Sequence, residues 1–154
     1  MILRKTVCAI AALVVASVAY GSTVKIEGLP NIKLGDSVEE VQKELDTKLE
    51  AEKQESLSPI PSKRTQLHLK TKGIWVFFDK DKVYEIRVDK PFPGNVGGVK
   101  LGDSSSKIEK TLGPAIKRDT WGIYTTYTYY FDDVTTTRFA VNRDDEIETI
   151  FFLK

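Results

Sequence analysis

The stretch Ile32-Lys33-Leu34-Gly35-Asp36-Ser37 returns 67 residues later as Val99-Lys100-Leu101-Gly102-Asp103-Ser104. A self-match at one offset marks a duplicated unit, so each copy helps to read the other. In the first copy Gly35 and Asp36 suit a turn, and Ser37 with Glu40 completes a capping box that starts a helix. Val38, Val41, Leu45 and Leu49 then recur at helical spacing, with charged residues between them. The second copy sets Ile108 on Val41, Lys110 on Lys43 and Leu112 on Leu45, and Gly113-Pro114 stops it sooner. Ser104 is the aligned cap, and Ser106 with Glu109 offers a rival one.

β-Branched and aromatic runs follow each helix. They predict strands near Gln66–Lys70, Ile74–Phe78 and Val83–Val88, then Tyr124–Phe131, Thr135–Val141 and Ile147–Leu153. The last hairpins align at an offset of 64, which sets Trp75 and Phe77 on Phe139 and Val141, and Ile86 and Val88 on Ile150 and Phe152. An even offset keeps strand parity, so these positions are expected to share the core face. The expected fold is α+β: a tandem repeat of a helix plus a three-stranded antiparallel meander, with the helices packed on one face of the sheet. Repeat 1 covers about residues 30–90 and repeat 2 about 97–154. Pro91-Phe92-Pro93-Gly94 opens the joint between them.

The first twenty-odd residues read as a leader outside the fold. Arg4 and Lys5 precede an apolar run from Thr6 to Tyr20, and small residues then permit cleavage after Ala19 or Gly21. A retained anchor is the competing reading, but the run is short for a span and polar sequence follows at once. Residues 22–154 are then a single mature domain. Cys8 lies too near the start for a lipobox and leaves with the leader, so the mature chain carries no disulfide and no thiolate site. Without Arg4 and Lys5, 21 basic residues face 22 acidic ones, and the signs are interspersed. That argues against nucleic acid as a partner, since its binding rests on concentrated positive charge.

The Leu34-Gly35-Asp36-Ser37 and Leu101-Gly102-Asp103-Ser104 turns, each with a capped helix and a meander ending in a charged hairpin, resemble the repeat of the β-lactamase-inhibitor protein family. The layout is also similar to the SmpA/OmlA outer-membrane assembly lipoproteins. The resemblance implies helices on one side of an antiparallel sheet and, from the inhibitor branch, two units in tandem. It implies no target. The inhibitor family links its units by disulfides and the lipoproteins carry an acylated N-terminal Cys, and the mature chain has no Cys for either.

No catalytic constellation stands out. His68 is the only histidine, and it alternates with Leu67 and Leu69 as a strand residue facing solvent would. A zinc site or a Ser-His-Asp triad would need more partners than the chain offers. Asp79-Lys80-Asp81 begins like a calcium loop but lacks its later Gly and Glu. Asp132-Asp133 and Asp144-Asp145 suit hairpin turns, although a paired-carboxylate hydrolase stays open as a minority reading. No cofactor and no metal are expected. The run Trp121–Phe131 holds four tyrosines in two parity classes, so some of them should be exposed, as at protein interfaces.

The function expected is non-enzymatic: a periplasmic protein, delivered by a cleavable signal, that binds and blocks another protein by occlusion. It would be an immunity protein against an envelope-targeted toxin, or an inhibitor of a secreted enzyme. An envelope assembly factor is the alternative. The expected contacts are Tyr124, Tyr130, Arg87, Arg138 and Phe151 on the open sheet face, with the proline-bearing Leu57–Arg64 loop.

Overall fold

The computed structural model describes residues 25–54 and 64–154. The leader, its cleavage points and Cys8 lie outside the described residues, as does the Leu57–Arg64 loop apart from Arg64 itself. In chain order the elements are β1 (Ile26–Glu27), α1 (Val38–Glu44), β2 (Glu52–Lys53), β3 (Arg64–Leu69), β4 (Ile74–Asp79), β5 (Lys82–Asp89), β6 (Asn95–Val96) and β7 (Val99–Lys100). They continue with α2 (Ser105–Leu112), β8 (Lys117–Trp121), β9 (Tyr124–Tyr130), β10 (Thr136–Val141) and β11 (Ile147–Leu153). Eight strands form one antiparallel sheet in the order β2-β3-β4-β5-β11-β10-β9-β8, and β1-β6-β7 form a small second sheet.

This corrects the expected fold class. The protein is mostly β, and it is not a repeated helix plus three-stranded meander. Two features of the sequence hid this. The helices are only two turns long, so they contribute little beside the strands. β8, read as Lys-Arg-Asp-Thr-Trp, has no apolar alternation because all five of its residues are exposed. Periodicity does not reveal an edge strand of that kind.

α1 begins as its capping box predicts: Glu40 N–H donates to Ser37 Oγ at 3.3 Å, and Ser37 N–H donates to Glu40 Oε2 at 2.7 Å. It stops before Leu49 because Asp46 takes a left-handed backbone at φ +47°. Asp46 N–H then donates to Lys43 O at 3.2 Å and Thr47 N–H to Gln42 O at 3.0 Å. That is a Schellman closure with Asp in the place usually held by Gly, and it leaves Leu49 exposed. α2 is capped by Ser104, which accepts from Lys107 N–H at 3.3 Å.

The two Leu-Gly-Asp turns make the same bonds. Gly35 N–H donates to Val83 O and Gly102 N–H to Ile147 O, both at 2.8 Å, and the return bonds from Val83 and Ile147 to Asp36 O and Asp103 O are both 2.9 Å. Each turn is thereby tied to the first part of β5 or β11.

The parity expectation fails at β4. Phe78 pairs with Val83, leaving four residues at the tip, whereas Val141 pairs with Ile147, leaving five. The offset of 64 therefore holds after the hairpin tip but becomes 63 before it. One extra residue exchanges the faces. Trp75 lies opposite Arg87, while Phe139 lies opposite Ile150, so Trp75 and Phe139 point to opposite sides of the sheet. Val76 and Phe78 take the core positions that had been expected of Trp75 and Phe77.

One side of the large sheet is sealed. Val76, Phe78, Ile86, Val88, Phe139 and Ile150 cluster there with Val41 of α1, Leu45 at its C-terminal cap, Ile108 of α2 and Val96 and Val99 of the small sheet. Burying these side chains is the main driving force for the fold, at roughly 1.5–3 kcal/mol each. Tyr127 and Tyr129 join this core, whereas Tyr130 points the other way. The buried Tyr129 hydroxyl donates to Gly113 O at 2.9 Å, which ties β9 to the end of α2.

Burial pushes the Tyr129 phenol up to about 12. An unfolded tyrosine ionises near 10, so between those values the unfolded chain has lost a proton that the fold keeps. Stability is then expected to be intact below pH 10 and to fall as pH rises toward 12. Tyr129→Phe should cost about 1 kcal/mol at pH 8 through the lost hydrogen bond, and should decline less steeply than wild type above pH 10. Urea titrations at three alkaline pH values measure this, and equal slopes for the two proteins would count against the assignment.

Candidate binding face

The opposite side of the sheet is open, and strand register orders its side chains. His68, Trp75, Arg87, Phe151, Arg138, Thr128 and Lys117 stand directly opposite one another on successive strands from β3 to β8. Residues paired in this way share a face and touch their neighbours. Rings and cations alternate along most of the row.

The β3–β5 end is tightly organised. His68 stacks on Trp75 with ring centroids 3.3 Å apart, and the Arg87 guanidinium lies 5.0 Å from the Trp75 ring. Asp89 Oδ2 accepts from Trp75 Nε1–H at 3.1 Å and from Arg87 Nη2 at 2.7 Å. Arg87 Nε is buried and has no acceptor among the described residues. Burial lowers the pKa of His68, against the pull of the nearby Asp89 carboxylate, which favours the neutral ring. The stacked ring is thus a structural element of this face, where a solvent-facing strand histidine had been expected.

The other end is a groove of about 540 Å³ whose lining includes Arg87, Arg138, Tyr124, Phe151, Glu85 and Trp121. Burial raises the pKa of Glu85, and the charges of Arg87, Arg138 and Arg64 oppose the rise. A hydrogen bond with Glu148 raises that of Tyr124. Lys117 and Asp119, also in the lining, pair at 2.9 Å. Among the described residues no group of three His, Cys, Asp or Glu is placed to hold a metal.

The structure therefore brings four of the five expected contact residues, Arg87, Arg138, Tyr124 and Phe151, into one groove. Tyr130 shares their face by register, opposite Thr136, and is 55 % exposed, but it does not line the groove. Matched parity no longer argues for this surface; the observed pairing of β5, β11, β10 and β9 replaces that argument. Sequence reasoning missed Lys117 and Asp119 on β8, and it named Trp121 of the same strand only as the start of the aromatic run, not as a contact. Their signal was the two-residue tip Gly122-Ile123, with Gly122 at φ +60°, between Trp121 and Tyr124.

No protein-family model matches the sequence, and no curated protein matches it. Among solved structures, an extracellular protein containing an SCP domain from Bacillus anthracis matches at 8 % identity and a TM-score of 0.55, covering 79 % of this chain and 44 % of that one. A cysteine-rich secretory protein from Staphylococcus aureus matches at 11 % identity and a TM-score of 0.53, covering 81 % and 47 %. A DUF4309 family protein, YjgB, from Bacillus subtilis matches at 16 % identity and a TM-score of 0.46, covering 77 % and 78 %. The chain spans less than half of the first two proteins. At these identities the likeness to those two is one of fold. The resemblance to the β-lactamase-inhibitor and SmpA/OmlA repeats finds no support in these matches. Among the described residues no helix is long and apolar enough to cross a membrane.

Proposed function

We propose that this chain is an exported, non-catalytic protein that binds another protein with the open face of its sheet and neutralises it by covering it. One observation carries the reading: the sealed face is consumed by the core, while the other presents Trp121, Tyr124, Phe151, Arg87 and Arg138 around one groove. Tyr, Trp and Arg are the residues most often found at the energetic centre of protein interfaces. Export is supported by the leader-like start of the chain, and two proteins of similar fold are described as extracellular and secretory. Within that reading the periplasm is the compartment proposed, and an immunity protein or an enzyme inhibitor is the role.

A photo-crosslinking residue in place of Tyr124, expressed in the native cell, is expected to capture a partner protein, and one in place of the exposed Lys43 on α1 is not. Replacing Tyr124 and Arg138 together by Ala should lower partner affinity about tenfold or more with an unchanged melting temperature. Capture from Lys43 alone would place the interface on the other side of the molecule. A deletion strain tests the role: loss of an immunity protein harms only cells that meet the toxin, whereas an intrinsically leaky outer membrane would point to assembly.

A further inference from the structure

We propose that the groove on the open face holds a carboxylate of an acidic segment of the partner protein, and that Arg138 is its anchor. This rests on the reading of that face as a protein-binding surface. The row through the groove carries three permanent or near-permanent cations, Arg87, Arg138 and Lys117. The outer two have partners of their own. Arg87 is joined to Asp89 at 2.7 Å and Lys117 to Asp119 at 2.9 Å. The guanidinium of Arg138, between them, makes no hydrogen bond and no ion pair with any described residue, although it lines the groove.

Glu85 does not fill that role. Its carboxyl feels Arg138 only through space and feels Arg87 and Arg64 as well. With Arg87 paired to Asp89 and Lys117 to Asp119, the charge the groove leaves for a visitor is that of Arg138, while burial disfavours the charged form of Glu85, the remaining carboxylate of the lining. A guanidinium stays protonated at any physiological pH and presents donors in a fork that matches a carboxylate.

The surroundings say what else that visitor carries. Phe151 separates Arg138 from Arg87 along the row, so the backbones of the two arginines stand two strand spacings apart, roughly 10 Å. Trp121, 79 % exposed, and Tyr124 pair with each other in the same groove, four residues along β8 and β9 from the Lys117–Thr128 pair next to Arg138. A groove of about 540 Å³ has room for several side chains. An acidic residue flanked by apolar or aromatic ones on an extended or looped segment fits this combination of charge and surface.

The test uses the purified protein and dye-labelled, terminally blocked hexapeptides that pair an aromatic residue with Asp or Glu, against the same peptides carrying Asn or Gln. Fluorescence anisotropy is expected to show the acidic peptides binding about tenfold tighter or more, with the preference shrinking as salt is raised. Arg138→Gln should erase the preference, Arg138→Lys should keep part of it, and Arg118→Gln, on the other face over Tyr127, should leave it intact. Equal binding of acidic and neutral peptides, no binding of either, or an undiminished preference in Arg138→Gln overturns the proposal. So does displacement of the peptide by submillimolar phosphate or acetate, which would make this a small-anion site. Crosslinking from position 124 is independent of these outcomes: capture there with no acidic preference leaves the binding face standing and removes only the anchor.

Discussion

Phe139→Ala is expected to cost the fold about 3–5 kcal/mol, the usual loss for truncating a fully buried phenylalanine. Phe139 has no exposed surface, stands opposite Tyr127 and Ile150, and meets the Tyr129 ring edge-on at 5.8 Å. Its neighbours belong to three paired strands, so they cannot collapse into the space without breaking register. Against a total stability of about 5–15 kcal/mol for a domain, such a loss brings the chain close to unfolding at growth temperature. The informative control is the next residue along β10. Arg138→Ala, exposed on the other face, should stay within about 0.5 kcal/mol of wild type. Urea denaturation of both variants measures the difference. If the two are equally damaging, the assignment of faces across β10 is wrong.

Gly73→Ala is expected to be nearly as severe, for a different reason. Gly73 has φ +63°, the left-handed conformation that disfavours a side chain by about 1–2 kcal/mol. There is also no room for one. A Cβ at Gly73 would lie 2.1 Å from Asp89 O and 2.6 Å from Phe92 N, both backbone atoms. Strand β4 begins right after this glycine, and Asp89 N–H donates to Gly73 O at 3.0 Å, so the clash forces the start of β4 away from the end of β5. With the overpacking penalty added, the total cost is expected to be about 3 kcal/mol or more. The displaced residue, Asp89, also holds Trp75 and Arg87, so the His68–Trp75 stack should loosen as well. Near-ultraviolet circular dichroism of the folded variant reports on Trp75. A variant as stable as wild type would show that this contact is looser than described.

Much of this was written plainly in the chain. Ser37 with Glu40 begins α1 where its capping box predicts, the aligned Ser104 and not the rival Ser106 caps α2, and the six apolar strands were located by their β-branched and aromatic runs. What could not be read was decided by single residues. Asp46 ends α1 with a backbone conformation that composition does not advertise. The residue count of two hairpin tips, fixed by which residues pair across them, decided whether Trp75 or Val76 faced the core. β8 was invisible because an edge strand exposed on all sides obeys no hydrophobic pattern. The candidate groove was legible in part for the same physical reason. Arg87, Arg138 and Phe151 lie in strands with clear signals, whereas Lys117, Asp119 and Trp121 do not.

The pairing of β5 with β11 has a consequence for how the molecule comes into being. These two strands lie at the middle of the large sheet, yet β11 is the last element in chain order. While the polypeptide is being made, β5 must wait with a bare margin, its neighbour separated from it by about sixty residues still to come. The seam can be zipped only once that late segment arrives. Such an order of events makes the central pairing a long-range contact that forms late, which slows the closing of the sheet.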